Sequence, residues 1–270
     1  MQEYGIGIFN TIPSRSALKK AIKKGRVFVD GNPATTGILI KGNEVITLKK
    51  PSTPSGSGKQ LILPLNVIFE DEHLAVIYKP AGILVSGNSF KTISNALEQN
   101  LIQSSRTDAV RPYPVHRLDY PTTGALLIGK TSSSIAALNK MFEEKRVSKT
   151  YLAITIGPMI PKGSVTNKIA LKEAHSDYEV LRTVYSRRFG RLNLVSLSPK
   201  TGRRHQLRIH LASLGNPILG DQQYGRAPLI LKGKGLYLHA LSLELMHPFT
   251  REKLHIKTKL PSKFDAIFPE

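Results

Sequence analysis

The chain has no cysteine and no tryptophan, and its 270 residues carry 19 Asp and Glu against 39 Lys and Arg. Without cysteine there is no disulfide framework and no thiolate metal site, which suits a reducing, cytoplasmic setting. No apolar run approaches the ~20 residues that a membrane-spanning helix needs. Met1-Gln2-Glu3-Tyr4-Gly5 lacks the charged and apolar regions of a signal peptide. No P-loop or dinucleotide glycine pattern occurs, so no cofactor is expected. His205 and His210 are five apart, which does not put both on one helical face, and His116, His239 and His247 have no ligand spacing. No metal is expected.

What the shortage of acid leaves is a formal net charge of +20. A globular chain this basic is suited to a polyanion, because neutralising phosphates releases condensed counterions. No basic amphipathic helix dominates, so nucleic acid is favoured over a membrane surface. Hydrophobic residues make up 40% of the chain, enough for a substantial core, and the length allows one large domain plus a small one.

Residues 1–50 read as the small unit. Leu18, Ala21 and Ile22 form an apolar stripe at i, i+3, i+4, so Arg15 to Gly25 is a short helix ended by glycine. Lys19, Lys20, Lys23 and Lys24 crowd its other side. Arg26 opens a strand, Asp30-Gly31 is a hairpin-type turn, and Ile38–Ile40 and Val45–Leu48 are two further short strands. The unit holds nine Lys/Arg and three Asp/Glu. Residues 51–64 follow as a Pro/Ser/Gly-rich flexible linker. Residues 65–270 form the larger domain. It contains a hairpin at 67–80 around an acidic turn, helices at Ile93–Ile102, Ser132–Lys145 and Arg204–Ser213, and alternating strands at 147–154, 178–198 and Leu236–Leu245. The fold class is α+β, with a mainly antiparallel mixed sheet.

The segment Pro114–Gly129 reads as a turn, a short polar run, a second turn and a buried strand. Pro121 and Gly124 punctuate it, and Ala125–Ile128 is a continuous apolar run. Asp119 stands just ahead of that strand. Such a carboxylate can be held on a rigid wall facing a cleft; an Asp before a turn also commonly bonds its own backbone.

"HRLDYPTTG" (116–124) resembles the HRLD-x-x-TSG signature of the RluA family of RNA pseudouridine synthases. "KPAGILV" (79–85), "KTYLAI" (149–154) and "PKTGRRHQLRIHLASLGNPILGDQQYG" (199–225) match the same family in order. Thr123 replaces the usual Ser, which keeps the hydroxyl. A short interval between the Tyr151 and Arg208 motifs suggests a trimmed insertion. "KKGRVFVDG" (23–31) resembles the S-four-like RNA-binding domain. The resemblance implies the same fold, with Asp119 as the catalytic carboxylate acting at C1′ of a flipped-out uridine. It implies Tyr151 stacked on the base and Arg208 paired with Asp119. Arg117 is implied in base extrusion or phosphate contact, and Arg203 and Arg204 in phosphate contact. Lys79 and Arg111 are candidates to line the RNA cleft, and Lys19, Lys20, Lys23, Lys24 and Arg26 to form the RNA face of the small domain. The expected partner is RNA, ribosomal RNA before transfer RNA, with no obligate protein partner. The rival readings are a non-enzymatic RNA-binding or ribosome-assembly protein and a base glycosylase.

Overall fold

Apolar spacing and glycine stops make α1 (Arg15–Lys23), which buries Leu18, Ala21 and Ile22 and leaves Lys19, Lys20 and Lys23 exposed, with Lys24 exposed in the turn that follows. β1 (Val27–Val29), β2 (Asn32–Pro33) and β3 (Ile46–Leu48) form a sheet in the order β2-β1-β3. Asp30 and Gly31 both take positive φ, 49° and 79°, as a two-residue primed hairpin turn requires. The expected strand at Ile38–Ile40 does not form. Both edges of β1 are occupied by β2 and β3, and Ile38 and Ile40 instead pack against the core of α1, β1 and Ala34.

These elements belong to the first of two compact units, Met1–Lys59 and Gln60–Glu270, in a computed structural model that describes residues 9, 12, 15–49 and 61–269. Most of the expected linker, 51–60, lies outside the described residues. Residues 61–64 are strapped to the larger unit: Gln99 Nε2 donates to Leu61 O at 2.7 Å and Asn100 Nδ2 to Leu63 O at 2.9 Å.

The larger unit contains, in order, β4 (Asn66–Glu70), β5 (Leu74–Lys79), α2 (Ile93–Ala96), β6 (Ala109–Pro114), β7 (Thr123–Thr131), α3 (Ser132–Glu143), β8 (Ser148–Ile156), β9 (Lys162–Val165), β10 (Ser176–Ser186), β11 (Gly190–Pro199), α4 (Gln206–Ser213), β12 (Leu238–Met246), β13 (Lys253–Lys257) and α5 (Ser262–Asp265). Ten strands form one sheet with the path β4-β5-β7-β12-β8-β11-β10-β9, β6 adding to β7 and β13 to β12. All its strand pairs are antiparallel except β7 with β12. This is the α+β mixed sheet that the patterning implies. The helix expected at Ile93–Ile102 is shorter. One turn of α-helix passes into a 3-10 turn at Leu97–Gln99, and Asn100 then gives its side chain to the 61–65 strap.

β7 is the centre of the unit, buried along all nine residues. Alternate residues feed two cores: Leu126 and Ile128 pack with Ile77, Ile83 and Leu118 on one face, Ala125 and Leu127 with Leu138 and Leu243 on the other. Truncating such a leucine to alanine costs about 2–5 kcal/mol, so the strand that carries the 114–129 segment is firmly held. Among the described residues, no helix is long and apolar enough to cross a membrane.

Candidate active site

The turn before β7 is built from backbone bonds. Thr122 N donates to Asp119 O at 3.0 Å and Gly82 N to Tyr120 O at 2.9 Å, while Leu118 is buried in the core on that face. Beneath the turn lies Lys79, fully buried, whose ammonium donates to the carbonyls of Pro80, Tyr120 and Thr122 at 2.9, 3.2 and 2.8 Å. Burial lowers its pKa to about 8, against the opposing pull of Asp119. Lys79 is therefore not a cleft-lining contact, as its sequence position suggests, but a staple between the end of β5 and the Asp119 turn. To reach RNA the ammonium would first have to break three hydrogen bonds to carbonyls.

Register brings Tyr151 to this turn. Gly124 pairs with Ala240 across the parallel β7·β12 ladder, and Tyr151 pairs with the same Ala240 across β12·β8. The two positions are thus two strand spacings apart, roughly 9–10 Å. Gly124 has φ 116°, and a Cβ there would collide with the Ala240 carbonyl, so this close approach requires glycine. Beside it, Thr123 Oγ1 and His239 Nδ1 are 2.8 Å apart, and His239 Nε2 is 2.8 Å from Thr258 Oγ1. A serine at position 123 carries the same hydroxyl. Burial, then the charge of Asp119, raises the Tyr151 phenol above its ordinary pKa, which keeps it protonated.

α4 supplies the facing wall. Gln206 is buried and fixes the preceding loop, accepting from Thr201 Oγ1 at 2.7 Å and donating to His175 O at 2.9 Å. His205, at the helix N-terminus, holds φ 56°, a left-handed conformation uncommon outside glycine. Arg208, one turn in, is 6% exposed. Its Nε and Nη2 donate to Asp221 at 2.7 and 2.8 Å, and its Nη1 lies 3.6 Å from Asp119 Oδ2. The pairing expected with Asp119 is present as a longer contact, while the short bidentate bond goes to Asp221. Burial would raise the Asp221 pKa, but the Arg208 bonds and charge and the N–H groups of Tyr224 and Gln223 bring it below the ordinary value. Asp221 therefore offsets the Arg208 charge, and Asp119 faces a guanidinium already aimed and already compensated.

Sequence spacing assigns no role to Asp221 or His205. His205 Nε2 is 3.9 Å from Asp119 Oδ1, and its Nδ1 is 3.0 Å from the Tyr224 hydroxyl. Burial lowers its pKa; among the charges, Asp119 opposes that shift while Arg208 and Arg204 add to it. The Arg208 guanidinium lies 5.0 Å over the Tyr224 ring, closing a ring of contacts around Asp119. A usable signal for Asp221 exists: it is the single acid between Glu179 and Glu244, and a lone acid among arginines is a candidate partner.

Of the remaining candidates, Arg117 is exposed between buried Leu118 and His116, whose ring accepts from Leu127 N at 2.9 Å. It makes no ion pair among the described residues. Arg203 and Arg204 are exposed on the loop before α4, with Arg203 Nε donating to Glu173 O at 3.0 Å. Arg111 pairs with Glu98 at 3.0 Å. In the small unit, Lys19 and Lys23 border a groove with Ile22, Ala34, Thr35 and Thr36, while Arg26 Nε is tied to Lys49 O at 3.1 Å.

A half-buried carboxylate, backed by a fixed guanidinium and near a protonated phenol, can act on a sugar carbon beside an aromatic ring that can hold a planar base. A family model described as RNA pseudouridylate synthase matches residues 73–213, which include Lys79, Asp119, Tyr151 and Arg208. The chain belongs to the RluA-type RNA pseudouridine synthases. It is 34% identical to ribosomal large subunit pseudouridine synthase D of Nitrosomonas europaea, over 94% of this chain and 79% of that protein. It is 30% identical to ribosomal large subunit pseudouridine synthase C of Rickettsia bellii, over 94% and 92%. Its structure resembles human RNA pseudouridylate synthase domain containing 4, with a TM-score of 0.59 and 27% identity over 74% of this chain and 90% of that one. As an RNA pseudouridine synthase it isomerises uridine, replacing the N1–C1′ bond of the nucleoside with a C5–C1′ bond.

Proposed function

We propose that this synthase modifies uridine in ribosomal RNA in the cytoplasm, with Asp119 acting at C1′ of a flipped-out nucleotide. The relatives named for the ribosomal large subunit support the substrate. The observation that supports the site is the buried Arg208–Asp221 pair, which holds the guanidinium with Nη1 3.6 Å from the Asp119 carboxylate. In this reading Asp119 attacks C1′, stabilises oxocarbenium character there or removes a ribose proton, as carboxylates do in glycoside chemistry. N1 leaves, the base turns, C5 bonds to C1′, and the proton on C5 is lost as N1 gains one. Tyr151 stacks on the base; a phenol kept protonated is suited to that and to hydrogen-bond donation, not to starting as the base. Arg117 fills the space of the extruded base, and Arg203 and Arg204 meet phosphates. Lys79 positions the Asp119 turn. The N-terminal unit is an S-four-like RNA-binding module, and the four exposed lysines of α1 and the turn after it contact the backbone.

Asp119→Asn keeps the shape and removes the charge. Pseudouridine formation in single-turnover assays on transcribed ribosomal RNA should fall by roughly a thousandfold or more, with RNA affinity within about twofold of the parent. A variant that still turns over at the parental rate ends the assignment of Asp119.

A further inference from the structure

The positive charge of the larger unit is not spread evenly. Residues 61–179 hold 13 Lys/Arg and 11 Asp/Glu, close to balance. Residues 180–243 hold 11 Lys/Arg and a single acid, Asp221, and that acid is buried against Arg208. Four of the eleven cations, Lys200, Arg203, Arg204 and Arg208, lie at the site end of this segment. Most of the others gather at its far end. β10 and β11 run antiparallel from Ser176/Pro199 to Ser186/Gly190, and the turn between them carries exposed Arg187 and Arg188, followed by exposed Arg191.

The loop at 226–235 lies against this tip. Arg188 Nη2 donates to Ile230 O at 3.3 Å and its guanidinium lies 4.9 Å over the Phe189 ring. Phe189, Leu229 and Leu231 share one core. The loop adds exposed Arg226, Lys232 and Lys234, with Arg226 fixed by donation to Gly215 O at 2.9 Å. None of these six cations makes an ion pair among the described residues. The one acid of the adjoining α5, Asp265, is outnumbered by them. Two of the guanidiniums are held in place by carbonyls, so less side-chain entropy is lost when a phosphate binds. Tyr185 at the same tip is 80% exposed, an aromatic face available for a base or ribose.

This tip is separate from the Asp119 site. Leu197 of β11 is the register partner of Tyr151, and Arg191 lies six residues further along the strand, about 20 Å at ~3.3 Å per residue. We propose that the β10–β11 tip with the 226–235 loop is a second RNA-backbone site, which grips a phosphate run remote from the flipped uridine. It rests on the reading that structured RNA is the substrate. It makes the long strand pair a ruler between the modified nucleotide and a distal anchor, so the enzyme selects RNA by shape at a distance as well as by the target base.

The test compares the parent, Arg187→Gln/Arg188→Gln/Arg191→Gln, and a charge-matched control on α3 and the turn after it, Lys140→Gln/Lys145→Gln/Arg146→Gln. Binding to transcribed large-subunit ribosomal RNA and to a short uridine stem-loop is measured across a salt series. The tip variant should lose about tenfold or more in affinity for the long RNA, with a salt slope shallower by about two to three. It should bind the stem-loop as the parent does, and the control should match the parent on both. Equal affinity and slope for parent and tip variant on the long RNA would overturn the proposal, as would an equal loss on the stem-loop. Thermal melting checks folding, and Arg187→Gln/Arg191→Gln repeats the test with the Arg188–Ile230 bond intact. A parent that binds through the tip yet forms no pseudouridine in ribosomal RNA would remove the substrate reading and leave this contact standing.

Discussion

The lysines of α1 and the lysine under the Asp119 turn are one residue type in opposite physical situations. Lys19, Lys20, Lys23 and Lys24 are exposed on a nine-residue helix and the turn after it, where the helix's stripe of three apolar residues does the packing. Their charges are hydrated, screened within about 8–10 Å at ordinary salt, and replaceable one by another. Lys79 is fully buried among carbonyls, and nothing but an ammonium of that reach satisfies three acceptors at once. The same contrast separates Arg203 from Arg208. A surface cation contributes to a sum; a buried one contributes a geometry. Loss of the first should be graded and salt-dependent, loss of the second steep and salt-independent.

The sharpest break in that comparison is Arg208→Met against Arg203→Met. Arg208→Met leaves Asp221 buried without its partner and Asp119 without its facing charge. Single-turnover rate at saturating RNA should drop by about a hundredfold or more, and stability by about 3–5 kcal/mol as the buried pair is broken. Arg203→Met should change apparent affinity and salt slope and recover its rate at saturating RNA. If Arg203→Met is the slower enzyme, the roles are reversed.

Asp221→Asn separates aiming from charge. The bidentate bond weakens, Arg208 is freed to close on Asp119, and turnover should fall while Asp119 remains. Because the Asp221 pKa is depressed in the folded chain, its stabilising contribution is present above the ordinary carboxylate range and is lost as pH falls through the lowered value. Denaturant titrations should therefore find the parent losing more stability on acidification than Asp221→Asn. Parallel pH curves would mean the pair does not contribute to acid stability.

Lys79→Met should cost about 3 kcal/mol, from the three hydrogen bonds to buried carbonyls that are lost. Its pH signature has the same sign as that of Asp221 but lies in an alkaline window. Above pH 8 the folded chain gives up a proton that the unfolded chain keeps to ~10.4, so the contribution of Lys79 to stability rises with pH across that window. Chemical denaturation at pH 7.5 and 9.5 should resolve a rise in the parent that Lys79→Met lacks.

The smallest effect belongs to α1. Replacing any one of Lys19, Lys20, Lys23 and, in the turn after the helix, Lys24 by Gln should shift RNA affinity by about twofold and the salt slope by less than one, with melting temperature unchanged. A single lysine whose loss matches that of all four would mean the face is a specific contact instead of a charge sum.

Local sequence was enough to place the elements that hold the site. The run 125–128 reads as a buried strand because alternate packing on both faces demands apolar residues throughout. The three-four spacing in α1 and Asp30-Gly31 fix their own backbone regardless of what surrounds them. The 116–124 segment puts Asp119 at a turn just ahead of that strand, and residues 149–154 put Tyr151 on a strand. What the sequence by itself could not determine is which charge meets which. Ile38–Ile40 has strand-like residues, yet β1 has only two edges and both are taken. Lys79 reads as one more cation in a basic chain; the depth of β5 beneath the Asp119 turn makes it a buried staple. Arg208 pairs at short range with Asp221, thirteen residues on, because the chain folds that acid under α4. Tyr151 reaches the Asp119 turn through Ala240, a residue remote from both in sequence. Periodicity and turn chemistry act over a few residues, whereas charge pairing and burial depend on distances that exist only once the sheet has closed its register.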